Sequence, residues 1–271
     1  VGSSLAKKLI KKNKVIVLDN YFTGSKSNHI KKVIYKKGES KNISKLLTKE
    51  KFDYVFHFGE YSRVEQSFED IDKVIEYNIL PIYEVIKFCK LKSAKLIYSG
   101  SSTKFAKYDH KSTQSPYAWS KITNTNLINA YSKWFGLNFA ITYFYNVYGE
   151  NEISQGKYAT VVGKFIALAK LNKKLPINKP GTQKRNFTHV DDIISGLEIV
   201  ALKGTGDGFG IGSKKSYSII ELANMIGSKI EFRPKVKGNR ASAIVKTEKT
   251  IKLGWKCKNK LPLYIKSKKI N

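Results

Sequence analysis

The feature that most restricts how this chain can fold is an alternation of short, bounded apolar runs with longer stretches whose apolar residues recur at helical spacing. Val15 to Leu18, Val33 to Tyr35, Tyr54 to Gly59, Lys95 to Ser99 and Asn138 to Tyr145 have the length and composition of strands. Between them, Ile43 to Glu50, Ile71 to Leu91 and Tyr117 to Phe135 carry helical periodicity. Largely apolar strands suit a sheet covered on both faces, and helical crossovers join neighbouring strands in parallel. The expected fold class is therefore α/β, with a doubly wound parallel sheet whose ligand lies at the carboxyl ends of the strands. Asp19, Gly59, Ser101 and Asn146 all fall at those ends.

Two stretches carry candidate chemistry. In Ser115-Pro116-Tyr117-Ala118-Trp119-Ser120-Lys121 a tyrosine precedes a lysine by four residues, so phenol and ammonium leave the same face of a helix. A phenol is a poor base at neutral pH, and a cation held beside it favours the phenolate. In Tyr98-Ser99-Gly100-Ser101-Ser102, Ser101 offers a hydroxyl that can steer a substrate hydroxyl toward Tyr117. Asp19, just beyond a strand, is placed to accept hydrogen bonds from an adenosine ribose, and an acid there disfavours a 2′-phosphate, pointing to NAD rather than NADP. A glycine fingerprint G-x-x-G-x-x-G is expected before the first helix. Only its last glycine, Gly2, is found, so the first strand and two glycines are expected to be missing.

After Gly149 the texture changes. Residues 1–149 are expected to form a dinucleotide-binding domain. Residues 150–271 are expected to form mainly a smaller α+β substrate lobe, with 189–212 packing back on the first domain. Lys174 to Lys184 is rich in proline, glycine and lysine, and the lysine-rich tail suggests little order.

Fifty basic against twenty-one acidic residues give a formal charge of +29. Such a charge raises nucleic acid or an anionic membrane surface as partners. The lysines, however, are spread in pairs without an aromatic-interleaved stripe, and the four arginines are Arg63, Arg185, Arg233 and Arg240. Nucleic-acid readers depend on arginine for bidentate contacts. The expectation is no nucleic acid, no membrane and an acidic, phosphorylated substrate. No apolar run approaches the ~20 residues of a membrane span. The two cysteines, Cys89 and Cys257, indicate neither a disulfide framework nor a zinc site, and the four histidines do not cluster, so no metal is expected. A reducing, cytoplasmic setting follows.

Taken in order, these motifs resemble one known family. They are the Asp19 strand end, Phe56-His57-Phe58, Asn78, the serine-rich strand end, Ser-Pro-Tyr-x-x-Ser-Lys, Asn146-Val147-Tyr148-Gly149 and Arg185-x-Phe187-x-His189-Val190-x-Asp192. The chain is similar to the extended short-chain dehydrogenase/reductases acting on nucleotide sugars, and within them to the UDP-glucose 4-epimerase-like NAD-dependent epimerase/dehydratases. The resemblance implies a Rossmann-type sheet, NAD as cofactor, a UDP-sugar substrate and a homodimer through the helices at 71–91 and 117–135. It makes Tyr117 the catalytic base, Lys121 the ligand of the nicotinamide ribose that favours the phenolate, and Ser101 the partner of the sugar 4′-hydroxyl. Gly2, Asp19, Asn20, Phe58, Gly59, Asn78, Ser99 and Phe144 would surround the cofactor. Asn146, Arg185, Phe187, Arg240 and Ala243 would hold the substrate, Ala243 standing where a bulkier residue would exclude an N-acetyl group.

Some positions depart from that pattern. Glu39 replaces an aspartate that meets adenine, Gly59-Glu60 replaces an alanine pair, and Tyr143 replaces an arginine. The loop between Ser101 and Tyr117 is short. Related 4,6-dehydratases place an Asp-Glu pair where this chain has Ser102 and Thr103, which disfavours dehydration. A decarboxylase or reductase of the same superfamily, and a non-catalytic basic binding protein retaining the fold, remain the alternatives.

Overall fold

The computed structural model describes residues 1–105, 115–235 and 244–268. The first half runs α1 (Gly2–Leu9), β1 (Ile16–Asp19), β2 (Ile34–Lys37), α2 (Ile43–Leu46), β3 (Tyr54–His57), α3 (Ile71–Val74) and α4 (Leu80–Leu91), then β4 (Lys95–Ser101), α5 (Pro116–Phe135) and β5 (Phe139–Phe144). The second runs β6 (Val147–Tyr148), α6 (Val161–Lys170), β7 (Leu175–Asn178), β8 (Lys184–Arg185), β9 (Thr188–His189) and α7 (Val190–Lys203). It continues through β10 (Gly206–Ile211), β11 (Tyr217–Ser218), α8 (Ile219–Ile226), β12 (Ile230–Arg233), α9 (Glu248–Lys252) and α10 (Leu261–Ser267).

The central sheet has the order β10-β5-β4-β3, all parallel. Its middle strand shows why the apolar runs behave as they do. Leu96 and Tyr98 turn toward α4 and α5, packing with Val85, Ile86, Phe88 and Ile128. Ile97, between them, turns to the other face and joins Leu5 of α1 with Ile193, Leu197 and Val200 of α7. The period-two alternation thus buries both faces at once. Gly100 is required where β4 meets β5, since a Cβ there would lie 2.6 Å from the Tyr143 ring.

β1 and β2 form a separate parallel pair, with Ile16 opposite Ile34 and Asp19 opposite Lys37. The sequence leads one to expect a central strand to be absent from this sheet. Among the described residues, β1 has no ladder to β3; instead both strands line one cavity.

A second core gathers Phe165 and Ile166 of α6, Leu222 and Ile226 of α8, and Leu261 and Ile265 of α10 around Leu175 and Ile177. Here the structure adds a strand that the composition did not signal and corrects the expectation of a poorly ordered tail. Lys174 to Lys184 contains β7, which pairs in parallel with β12, Leu175 opposite Ile230. The lysine-rich tail contains α9 and α10, anchored by buried Trp255, Leu261 and Ile265. Long lysine stems obscured the apolar alternation there, because a lysine can flank a buried position while its head stays in water.

The helical stretch expected at 71–91 is present but not α-helical throughout. Ile75–Ile79 winds as a π-helical turn between α3 and α4, and Asn78 sits inside it. Among the described residues no helix is long and apolar enough to cross a membrane, and no His/Cys/Asp/Glu group is arranged to hold a metal ion.

Candidate active site

α5 positions the Tyr117–Lys121 pair, and its local sequence explains where it starts and stops. Ser115, in extended conformation, caps it by accepting the Ala118 N–H at 3.1 Å, and Pro116 fits the first turn, where no backbone donor is needed. Gly136 ends it in the left-handed region, φ 66°, its N–H reaching the Ser132 carbonyl at 2.8 Å. Tyr117 and Lys121 therefore sit in the first turns, at the carboxyl end of the central sheet.

They open onto a cavity of about 1290 Å³. Gly2 and Ser3 of α1, Asp19 and Asn20 beyond β1, and Phe58 and Gly59 beyond β3 line it. So do Ser99 and Ser101 of β4, Tyr117 and Lys121 of α5, Phe144 and Asn146 beyond β5, and Arg185 and Phe187. Every site residue named from the sequence thus borders this space, with three exceptions. Asn78 is fully buried behind it: its side chain accepts the Tyr61 N–H at 2.6 Å and donates to the Tyr61 carbonyl and Ser120 Oγ. It braces the wall rather than forming it. Arg240 and Ala243 lie outside the described residues.

The local geometry at each end is specific. Asp19 Oδ1 accepts the Tyr21 N–H at 2.8 Å, and Asn20 Oδ1 accepts the Phe22 N–H at 3.0 Å, shaping the turn that presents both side chains. Ser101 Oγ accepts the Thr103 N–H at 3.3 Å and contacts Thr103 Oγ1 at 2.9 Å. Lys121 is 4% exposed and donates to the Ser99 carbonyl at 2.6 Å and to the Glu60 carboxylate.

Two residues here exceed what the sequence signals. Glu60, noted from sequence only as a departure, is the counter-charge of Lys121. Arg63 is half-buried on the cavity wall, its Nε donating to the Tyr158 carbonyl at 2.9 Å. Burial lowers its pKa, and the neighbouring Tyr117 and Tyr61 phenols push back. Its rarity in a lysine-rich chain is the one signal that could have singled it out.

The site fits a dinucleotide. Gly2 and Ser3 in the first turn of α1 border the cavity, and backbone N–H groups at a helix start are a setting suited to an anionic diphosphate. A Cβ added to Gly59 would meet nothing within 4 Å, so protein neighbours do not explain that glycine. Asp19 presents carboxylate oxygens and Lys121 an ammonium on the same cavity.

The arrangement defines a doubly wound, dinucleotide-dependent α/β enzyme fold with a Ser/Tyr/Lys wall. A sequence model of the NAD dependent epimerase/dehydratase family matches residues 1–212, and the chain belongs to that NAD-dependent enzyme family. A dTDP-D-glucose 4,6-dehydratase of Dictyostelium discoideum is 30% identical over 83% of this chain, and the match covers 59% of that protein. A putative UDP-glucose 4-epimerase of Methanocaldococcus jannaschii is 28% identical over 94% of this chain and 90% of its own. UDP-glucuronic acid decarboxylases of Arabidopsis thaliana match as well. Among solved structures, the UDP-glucose 4-epimerase of Thermotoga maritima superposes with a TM-score of 0.91 at 22% identity, covering 98% of this chain and 93% of that one. The fold is thereby shown, and the family spans nucleotide-sugar epimerases, 4,6-dehydratases and decarboxylases.

Proposed function

We propose that this chain is an NAD-dependent nucleotide-sugar 4-epimerase of the UDP-glucose/UDP-galactose type, open also to UDP-N-acetylhexosamines. The observation that carries the proposal is the composition of the wall around Ser101. Ser101, Tyr117 and Lys121 meet on one cavity, while the two positions after Ser101 are Ser102 and Thr103, both buried on that wall and neither able to titrate. Eliminating water from a hexose requires an acid and a base beside C5 and C6, and these two positions provide none.

In this reading Ser101 holds the sugar 4′-hydroxyl and Tyr117 takes its proton, later returning it. Lys121, fixed by the Ser99 carbonyl, supplies the cation that favours the phenolate. Asn146 and Arg185 bind the substrate diphosphate, Arg185 with a planar fork matched to phosphate oxygens. NAD, when bound along the wall from Asp19 to Lys121, supplies the reversible oxidation at C4′. Residues 1–149 act as the cofactor domain and 150–271 as the substrate lobe. Leu80, Tyr83 and Leu91 of α4 and Trp134 and Phe135 of α5 are exposed apolar side chains, which suits a homodimer through these helices.

The test is to incubate the purified protein and NAD with UDP-galactose, UDP-N-acetylgalactosamine and their gluco epimers, following interconversion. Accumulation of a 4-keto-6-deoxy sugar, or release of CO₂ from UDP-glucuronic acid, without epimerisation would reject the reading.

A further inference from the structure

Glu60 is the most deeply buried carboxylate near the reacting groups, its side chain 1% exposed. It lies in the segment after β3, outside any helix, so no capping role accounts for it. Groups from three elements face it. His57 of β3 places Nε2 3.3 Å from Oε1. Tyr98 of β4 donates its hydroxyl to Oε2 at 3.0 Å. From α5, Lys121 donates to Oε2 and Asn124 donates to Oε1 at 3.1 Å. Burial acts to raise the carboxyl's pKa, but Lys121 and then His57 outweigh it and hold the group ionised. Lys121 also lies 5.0 Å over the Tyr98 ring.

Burying a carboxylate and an ammonium together is costly unless both are fully partnered, and replacing such a pair by apolar residues is often neutral for stability. A buried ion pair against the catalytic wall therefore calls for a role beyond holding the fold. Its electrostatic effect is definite. The carboxylate offsets part of the Lys121 charge and fixes Nζ between Oε2 and the Ser99 carbonyl. A negative charge near a phenol–ammonium pair opposes loss of a proton from either member, whichever gives it up first.

We propose that Glu60 is a positioning residue that acts through Lys121, orienting its ammonium between the carboxylate and the Ser99 carbonyl and offsetting part of its charge on the catalytic wall. For a base that must accept a proton in one half-reaction and return it in the other, restraint is as useful as activation. The inference rests on the assignment of Tyr117 as base and Lys121 as its cation.

Glu60→Gln tests it, because the amide keeps the size and most hydrogen bonds while removing the charge. The acid limb of kcat/KM should move to lower pH by about one unit, the scale of one nearby charge. The variant then outperforms the parent below that limb. Glu60→Asp, which keeps the charge but withdraws it by one methylene, should give a smaller shift in the same direction, and it carries the test should the amide fail to fold. Combining Glu60→Gln with Lys121→Met should abolish the Gln-dependent shift. An unmoved limb in a folded variant, or a uniform loss of rate at all pH values, overturns the proposal. The Tyr117 titration can be read without substrate, as the near-ultraviolet difference between each protein and its Tyr117→Phe counterpart. A shifted titration without sugar turnover rejects only the epimerase reading, and an unshifted one rejects only the role of Glu60.

Discussion

Loss of the Asp192 carboxylate should cost this fold several hydrogen bonds at once. Asp192 is 2% exposed in the first turn of α7, and its carboxylate ties down the segment that leads into α10. Oδ1 accepts the Lys258 N–H at 3.1 Å and Asn259 Nδ2 at 3.0 Å, and Oδ2 accepts the Asn259 N–H at 2.9 Å. The Asp192 carbonyl also receives Trp255 Nε1 at 2.9 Å. Hydrogen bonds to a charged group contribute ~1.5–3 kcal/mol each. Lys258 and Asn259 are exposed, so water can satisfy their donors once the carboxylate is gone, and the sum should be discounted accordingly. Asp192→Ala is therefore expected to destabilise by about 2–4 kcal/mol, a fall in Tm of roughly 4–8 °C for a chain of this size. Thermal unfolding followed by tryptophan fluorescence measures it, with limited proteolysis at Lys256 to Lys260 as a local probe. Asp191→Ala is the control, since Asp191 shares the helix turn but its side chain is 73% exposed; it should stay within about 1 kcal/mol. If both variants melt within a degree of the parent, the carboxylate does not anchor the tail.

Tyr117→Phe should lower turnover by about 10²–10⁴-fold while NAD binding persists, because the ring still packs and only the proton acceptor is lost; activity within tenfold of the parent contradicts the assignment. Asp70 is held below the usual carboxylate range by Lys73, Tyr61, Tyr158 and Lys157. A depressed folded-state value gives stability that is present above an unfolded value near ~3.9 and is lost as pH falls further. Asp70→Asn should thus unfold more easily than the parent at neutral pH and converge with it in acid, and parallel stability curves would show that the carboxylate contributes nothing.

The parts of the fold legible in the sequence are those where one local pattern answers one physical demand. Leu96, Ile97 and Tyr98 are all apolar because β4 is covered on both faces, and that requirement is written in consecutive residues. β7 was not legible. Leu175 and Ile177 alternate as a strand should, but lysines and prolines around them gave the stretch the composition of a loop. What makes β7 a strand is the ladder to β12, more than fifty residues later, together with the covering helices α6 and α8. The tail is similar: α10 is a short apolar run set among lysines, and the segment leading into it is tied to Asp192, which lies far upstream.

The same division runs through the site. Tyr117 and Lys121 are four residues apart, so helix geometry alone brings them to one face, and the serines of β4 belong to a single strand end. Glu60 meets Lys121 across sixty-one residues, and Arg63 meets Tyr158 across ninety-five. No local periodicity signals such pairs. They exist because β3, β4 and α5 converge at the carboxyl end of the sheet, where the loop after β3 passes over the start of α5. Motif spacing could identify the groups that exchange a proton. The charge that tempers them became visible only when a buried glutamate was found against the lysine, with no solvent to screen it.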